Sequence, residues 1–203
     1  MASCQRLLRG RATKCKSSVG GVKNLYLIPY DTMGDVVLDE YRRIVSVSNN
    51  PNAFQFEAYK DSTLTQNVMS SYENGTTFVD QIVDITLKQL DYITDDMVMD
   101  FAWSRYHIIV EDNNGNLLFC GYEFGYNSAG AAVVTGKTLV DFTGYNVTFT
   151  FREKRLANYL NGSLAAVGFN VVEPQDVAFI WDNIDENWEL VDKNWESNFL
   201  IDL

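Results

Sequence analysis

The chain has 203 residues, 16 basic and 27 acidic side chains for a net charge of -11, and 13% aromatic residues; that is enough for one domain with a sizeable core and too aromatic for wholesale disorder. An acidic balance argues against a nucleic-acid grip, which needs Lys and Arg to neutralise phosphates, and no apolar run approaches the roughly 20 residues of a membrane helix. Three cysteines, Cys4, Cys15 and Cys120, make neither a disulfide framework nor a zinc spacing.

Residues 1–20 read as a basic arm, with Arg6, Arg9, Arg11, Lys14 and Lys16 and no acidic side chain. Only Leu7 and Leu8 resemble an apolar stretch, so no secretory leader is expected and synthesis in the cytosol is. Free thiols are the default for Cys4 and Cys15, which bracket the arm and would close a loop only in an oxidising compartment.

From 21 to 155 the periodicity is that of a β domain. Residues 22–31 read as a strand that Pro29 places near an edge or an end, 36–38 and 44–47 as short strands, and 54–59 as an alternating one, with Asn49-Asn50-Pro51-Asn52 as a turn. Two long strands follow, 64–72 and 77–90, joined through Asn74-Gly75, which tolerates the positive φ of a tight hairpin. Arms of about nine and fourteen residues exceed the roughly 5–6 of an average strand, which points to a segment that projects or spans an interface. Along the second arm Asp80 and Asp84 share one face while Gln81 stands on the other. A strand in a monomer's core would keep one face dry and uncharged.

A helix is predicted next: Thr94 caps it, Asp95 and Asp96 favour its positive end, and Met97, Val98, Phe101 and Ala102 form an apolar stripe to cover a sheet. Residues 106–111 and 116–124 make a second hairpin around Asp112-Asn113-Asn114-Gly115, and 144–151 a last clear strand. Between them 125–143, rich in Gly, Ala and Ser, reads as a long surface loop. This order predicts a mainly β fold, an antiparallel β-barrel or sandwich with one packed α-helix, plus the N-terminal arm and a C-terminal extension over 156–203.

The extension carries a seven-residue repeat led by Trp181, Trp188 and Trp195, with Ile184 and Val191 three residues behind the first two. On a helix these residues form one apolar stripe in an acidic surround. The stripe either folds back on its own domain or docks on a neighbouring protein, tryptophan being a common interface anchor; attachment to a glycan or host surface is the alternative. Residues 173–203 hold nine acidic side chains against Lys193, so the two ends are oppositely charged and complementary for docking between subunits.

Chemistry is sparse. His107, the single histidine, lies in an apolar run without a nucleophile motif, which suits a structural role. Phosphate-loop, dinucleotide and metalloprotease patterns are all missing. Asp80 and Asp84 are read as solvated, not as an acid/base pair. The chain is therefore not expected to be an enzyme, and no cofactor or metal is expected.

Gly20-Gly21-Val22-Lys23-Asn24-Leu25-Tyr26-Leu27, then Glu73-Asn74-Gly75-Thr76-Thr77-Phe78, then Ile108-Ile109-Val110-Glu111-Asp112-Asn113-Asn114-Gly115-Asn116, then Cys120-Gly121-Tyr122-Glu123 and Gly144-Tyr145-Asn146-Val147-Thr148-Phe149-Thr150 follow one another in order. Over about 18–151 this succession resembles the tail tube and related tail structural proteins of tailed phages infecting Bacteroides-like bacteria, and the tryptophan repeat looks like segments of virion proteins of crAss-like phages. The resemblance implies a β-barrel or sandwich with one helix that assembles into rings, hexameric or a multiple, around a channel for the ejected genome. Such a subunit belongs to the virion tail and assembles in the host bacterial cytoplasm, beside neighbouring tail or connector proteins, with DNA passing transiently and without a membrane. The basic arm and the residues after Phe151 depart from the simpler pattern, leaving open a repeating tube subunit or a ring at the head-to-tail junction.

In such a ring the hairpin joins its neighbours through Leu64, Val68, Phe78 and Ile82, and Asp80 and Asp84 face a wet, acidic lumen that repels phosphates. Arg6, Arg9 and Arg11 with Trp181, Trp188 and Trp195 are the docking candidates.

Overall fold

The computed structural model describes residues 10–11, 16, 18–58, 61–126 and 128–174. Its elements are β1 (Val22–Pro29), a 3₁₀ turn (Tyr30–Thr32), β2 (Val36–Leu38), β3 (Ile44–Val47), β4 (Asn52–Glu57), β5 (Thr63–Ser71), β6 (Thr76–Lys88), α1 (Tyr92–Trp103), β7 (Tyr106–Asp112), β8 (Leu117–Cys120), β9 (Ser128–Val134), β10 (Gly144–Glu153), β11 (Asn158–Tyr159), α2 (Leu164–Val167) and β12 (Asn170–Val172). The protein is mainly β, and its sheets are antiparallel apart from the β4–β12 pair.

Two sheets face each other as a sandwich. One has six strands in the order β11-β8-β7-β1-β4-β12, the other four in the order β5-β6-β10-β9, and β2 and β3 form a separate hairpin. Leu25, Leu27, Ile108 and Val110 from the six-stranded sheet meet Val83, Ile85, Val147, Phe149 and Phe151 from the four-stranded one in the main core. Each such side chain contributes about 1.5–3 kcal/mol when fully buried.

The six-stranded sheet is covered on its other face as well. There Tyr26, Ile28, Ile109 and Phe119 pack with Ile44 and Val47 of β3 and with Leu164 and Val167 of α2. Burial on both faces explains why β1 and β7 read as continuous apolar runs, Leu25-Tyr26-Leu27-Ile28 and Ile108-Ile109-Val110, and not as alternations.

Four expectations need correction. The β domain does not stop at 155: β11, α2 and β12 belong to the same compact unit, which runs to Glu173. These short elements are held by tertiary pairing, β11 on β8 and β12 parallel to β4, with Leu160, Leu164, Val167 and Phe169 buried. Residues 125–143 are not one loop, because β9 pairs along β10 from Ser128↔Thr150 to Val134↔Gly144; its small residues have low strand propensity and are ordered by the neighbouring strand.

Thr94 is not the helix cap. Asp91 is, its Oδ1 accepting from the backbone of Ile93 and Thr94, both at 2.9 Å, which starts the helix three residues earlier. Of the predicted stripe only Val98 and Phe101 are buried; Met97 and Ala102 are exposed.

Candidate functional site

Alternation along β6 sorts its side chains into two sets. Val79, Gln81, Val83 and Ile85 are buried; Phe78, Asp80, Ile82, Asp84 and Thr86 occupy the outer face, as the period of a strand requires. Gln81, only 1% exposed, is satisfied where it lies: its Nε2 donates to the Arg155 carbonyl at 3.0 Å and its Oε1 accepts from the Gly121 amide at 3.1 Å. A buried amide with both ends paired is stable in an apolar core.

The outer face of the four-stranded sheet is polar in rows set by register. Asp80 stands between Asn67 and Arg152, Ile82 between Thr65 and Thr150, Asp84 between Thr63 and Thr148, and Thr86 beside Asn146. Asp80 pairs with Arg152 at 3.3 Å, the Thr148 hydroxyl donates to Asp84 at 2.5 Å, and that of Thr86 donates to Asn146 at 3.2 Å. Lys88, two residues beyond Thr86, lies on the same face. Two carboxylates are thus balanced by two cations, and the face is hydroxyl-rich and charge-neutral, which corrects the expectation of an acidic surface.

The four interface candidates do not share a surface. Leu64 lies on the inner face and packs against the protein's own core. Val68 lies on that face too, but opposite Val79 near the end of the core, and is 59% exposed. Phe78 and Ile82 lie on the outer face. The hairpin nevertheless projects: the β6–β10 ladder ends at Val79↔Glu153, so 76–78 pair with β5 alone, and Val68, Met69, Tyr72 and Phe78 expose apolar surface around the turn.

Both edges of this sheet are open. Among the described residues β5 pairs with β6 alone and β9 with β10 alone. Strand direction alternates across the sheet, so β5 and β9 run antiparallel to each other. Neither Thr-Leu-Thr-Gln-Asn-Val-Met-Ser-Ser nor Ser-Ala-Gly-Ala-Ala-Val-Val contains a charge or a proline, the usual guards of an exposed edge.

Buried polar groups that the sequence does not reveal surround the 121–126 segment, with His107 on the back face of the six-stranded sheet beside Phe119. The buried Glu153 carboxylate accepts from the amides of Glu123 and Phe124 at 3.0 to 3.2 Å, and burial pushes its pKa up. His107 Nδ1 lies 2.6 Å from the Gly121 carbonyl, its ring stacks on Tyr30, and desolvation lowers its pKa. Gly121 has φ +70°, and a Cβ there would meet the Phe151 ring at 2.5 Å. Cys120 is fully buried, which raises its thiol pKa and makes the thiolate scarce. These groups hold the 121–126 segment in place: acceptors are paired with backbone amides, and the imidazole lies against the rings of Tyr30 and Phe119.

An open groove of about 510 Å³ lies elsewhere, lined by residues including Tyr26, Glu111, Asn116, Tyr159 and Ser163. Its carboxylate is committed to structure: Glu111 accepts from Tyr26 and Asn24, both at 2.8 Å, and pairs with Lys23 at 3.0 Å; burial, with the bond to the Glu111 carboxylate and its charge, pushes the Tyr26 pKa up to about 12. Among the described residues no group of three or more His, Cys, Asp or Glu is placed to hold a metal, and no helix is long and apolar enough to cross a membrane. Arg11 is exposed. Arg6, Arg9, Cys4, Cys15, Trp181, Trp188 and Trp195 lie outside the described residues.

The chain matches no protein-family model, no curated protein and no solved structure.

Proposed function

We propose that the protein is a virion structural subunit that closes into a ring or stacked tube in a phage tail or head-to-tail connector, with the four-stranded sheet as the channel wall. The observation that carries this reading is the pair of open, unguarded, mutually antiparallel edges bounding a charge-balanced face. The sequence resemblance to tail structural proteins supports it.

Because β5 and β9 run in opposite directions, β9 of one copy continues onto β5 of the next without turning the copy over. That is a heterologous contact, which closes into a ring when the rotation allows. Four strands at about 4.8 Å each give roughly 19 Å of wall per copy, so six copies enclose a perimeter of roughly 115 Å, widened further by strand tilt. The face turned to the channel would offer hydroxyls and paired charges, and a surface without excess Lys or Arg does not hold phosphates.

Electron microscopy and sedimentation of the purified protein, concentrated with and without a kosmotropic salt, test the reading. Closed rings of uniform diameter are expected, and Val68→Lys with Val133→Lys at the two edges should prevent them. Monomers under every condition, unchanged by the edge substitutions, would refute it.

A further inference from the structure

Helix α1 has a second apolar face. Val98 and Phe101 point into the sandwich, where Phe101 packs against Phe56 and Phe149 with ring centroids 5.9 and 5.4 Å apart. Opposite them stand Tyr92, Asp96, Met99 and Trp103, which at 100° per residue fall within an arc of about 60°. Tyr92 and Trp103 are each 77% exposed and Met99 52%. Solvent-facing helix positions normally carry polar residues; Met and aromatic residues are those enriched in interfaces.

The charge around this stripe has one sign. The helix and its cap hold Asp91, Asp95, Asp96 and Asp100 and neither Lys nor Arg. Asp91 is used as the cap and Asp95 accepts from the Tyr145 hydroxyl at 2.6 Å. Asp96 and Asp100 are left without an ion pair among the described residues.

We propose that this face seats the chain's own N-terminal segment, residues 1–17. That segment combines Leu7 and Leu8 with five basic side chains and no acidic one, so it matches the helix in both apolar and charge character. Guanidinium groups also stack on aromatic rings, as Arg105 already does on Tyr30 at 4.5 Å. Other segments of this chain fit less well. The C-terminal tryptophan repeat lies among eight acidic residues and one Lys over 175–203 and is repelled, and a second α1 would set Asp96 against Asp96.

Reach permits the contact. The segment leaves the domain at Val19–Gly21, where the β7–β8 turn holds it: Asn114 bonds both the amide and the carbonyl of Val19 at 2.8 Å, and Asn113 Nδ2 donates to the Gly20 carbonyl at 2.8 Å. Seventeen extended residues span up to about 60 Å, whereas β7, which separates this clamp from the end of α1, is seven residues or about 23 Å long. The proposal holds whether or not the protein closes a ring.

Limited trypsin digestion of the full chain, at a concentration where sedimentation shows single copies, tests it. Cleavage after Arg6, Arg9, Arg11, Lys14 and Lys16 should be roughly tenfold slower in low salt than in 1 M salt, where the Debye length shrinks to about 3 Å. Met99→Ser/Trp103→Ser and Asp96→Asn/Asp100→Asn should cleave at the fast rate in low salt while their circular dichroism is unchanged. Carbodiimide cross-linking of the parent should join Lys14 or Lys16 to Asp96 or Asp100. Equal cleavage of parent and variants, or cross-links from those lysines only to other carboxylates, would overturn the proposal and leave the ring reading standing.

Discussion

Replacing Gln81 by Met keeps most of the side-chain volume but removes both of its hydrogen bonds. The Gly121 amide, buried and bonded to Gln81 Oε1 at 3.1 Å, loses its partner and has no water to replace it, which costs about 1–3 kcal/mol. The Arg155 carbonyl belongs to an exposed residue and can be rehydrated, so it adds little. The expected loss is about 2 kcal/mol, equivalent to a fall in Tm of roughly 4–8 °C for a domain of this size. Asp84→Asn, on the outer face of the same strand, should stay within about 0.5 kcal/mol, as most surface substitutions do. Urea and thermal unfolding of the two variants measure the contrast. If Gln81→Met unfolds within 0.5 kcal/mol of the parent, Gln81 is not what makes a polar residue stable on the core face of β6.

Other consequences are open to measurement. Burial raises the pKa of Glu153 above its ordinary value, so this group favours the folded state while protonated and withdraws that contribution as pH rises from the ordinary Glu value through the raised one; Glu153→Gln, which keeps an acceptor for Glu123 and Phe124, should unfold with less loss of stability over that interval, and parallel pH profiles for parent and variant would contradict the assignment. Phe101→Ala removes the ring that joins α1 to both sheets and should cost about 3–5 kcal/mol in chemical denaturation. Asp80→Asn/Asp84→Asn should form the same rings as the parent by electron microscopy; folded protein that no longer assembles would show that these carboxylates make subunit contacts. Arg152→Gln should cost only about 1 kcal/mol, since the pair joins an exposed guanidinium to a half-buried Asp80 carboxylate and surface pairs are worth roughly 0–1 kcal/mol, a point that differential scanning calorimetry can settle.

Much of the fold was legible because local signals and tertiary burial agree. The long hairpin, the Asn74-Gly75 turn and the apolar runs of β1 and β7 each state their role in consecutive residues. β9 was hidden because Ala129, Gly130, Ala131 and Ala132 carry little strand preference of their own, and α2 because four residues give no period to read. At the candidate site, alternation alone separates Asp80 and Asp84 from Gln81, as the structure has them. It does not reach the partners of Gln81, which lie 40 and 74 residues away, and the pairing of Asp80 with Arg152 depends on the β6–β10 register. That unread pairing turned an apparently acidic face into a neutral one. The interface candidates fall on two faces because Leu64 and Val68 differ in parity from Phe78 and Ile82 once register is fixed.

The unequal coverage of the two sheets bears most directly on function. In a free-standing sandwich both sheets commonly present one face to water. Here the hairpin of β2 and β3 together with α2 fills the back of the six-stranded sheet with Ile44, Val47, Leu164, Val167 and Phe169, so that sheet is an interior layer. The outer face of the four-stranded sheet has no such cover among the described residues, and its ladders run from β5 to β9 without a register shift. A regular sheet with two unguarded edges is a poor design for a lone copy, since edges of that kind recruit other strands. The same features suit a repeating wall: continuity from β9 to β5 satisfies the open edges, and the neutral hydroxyl face is left to the water of the channel. On this reading the cover on one sheet is what confines assembly to the other.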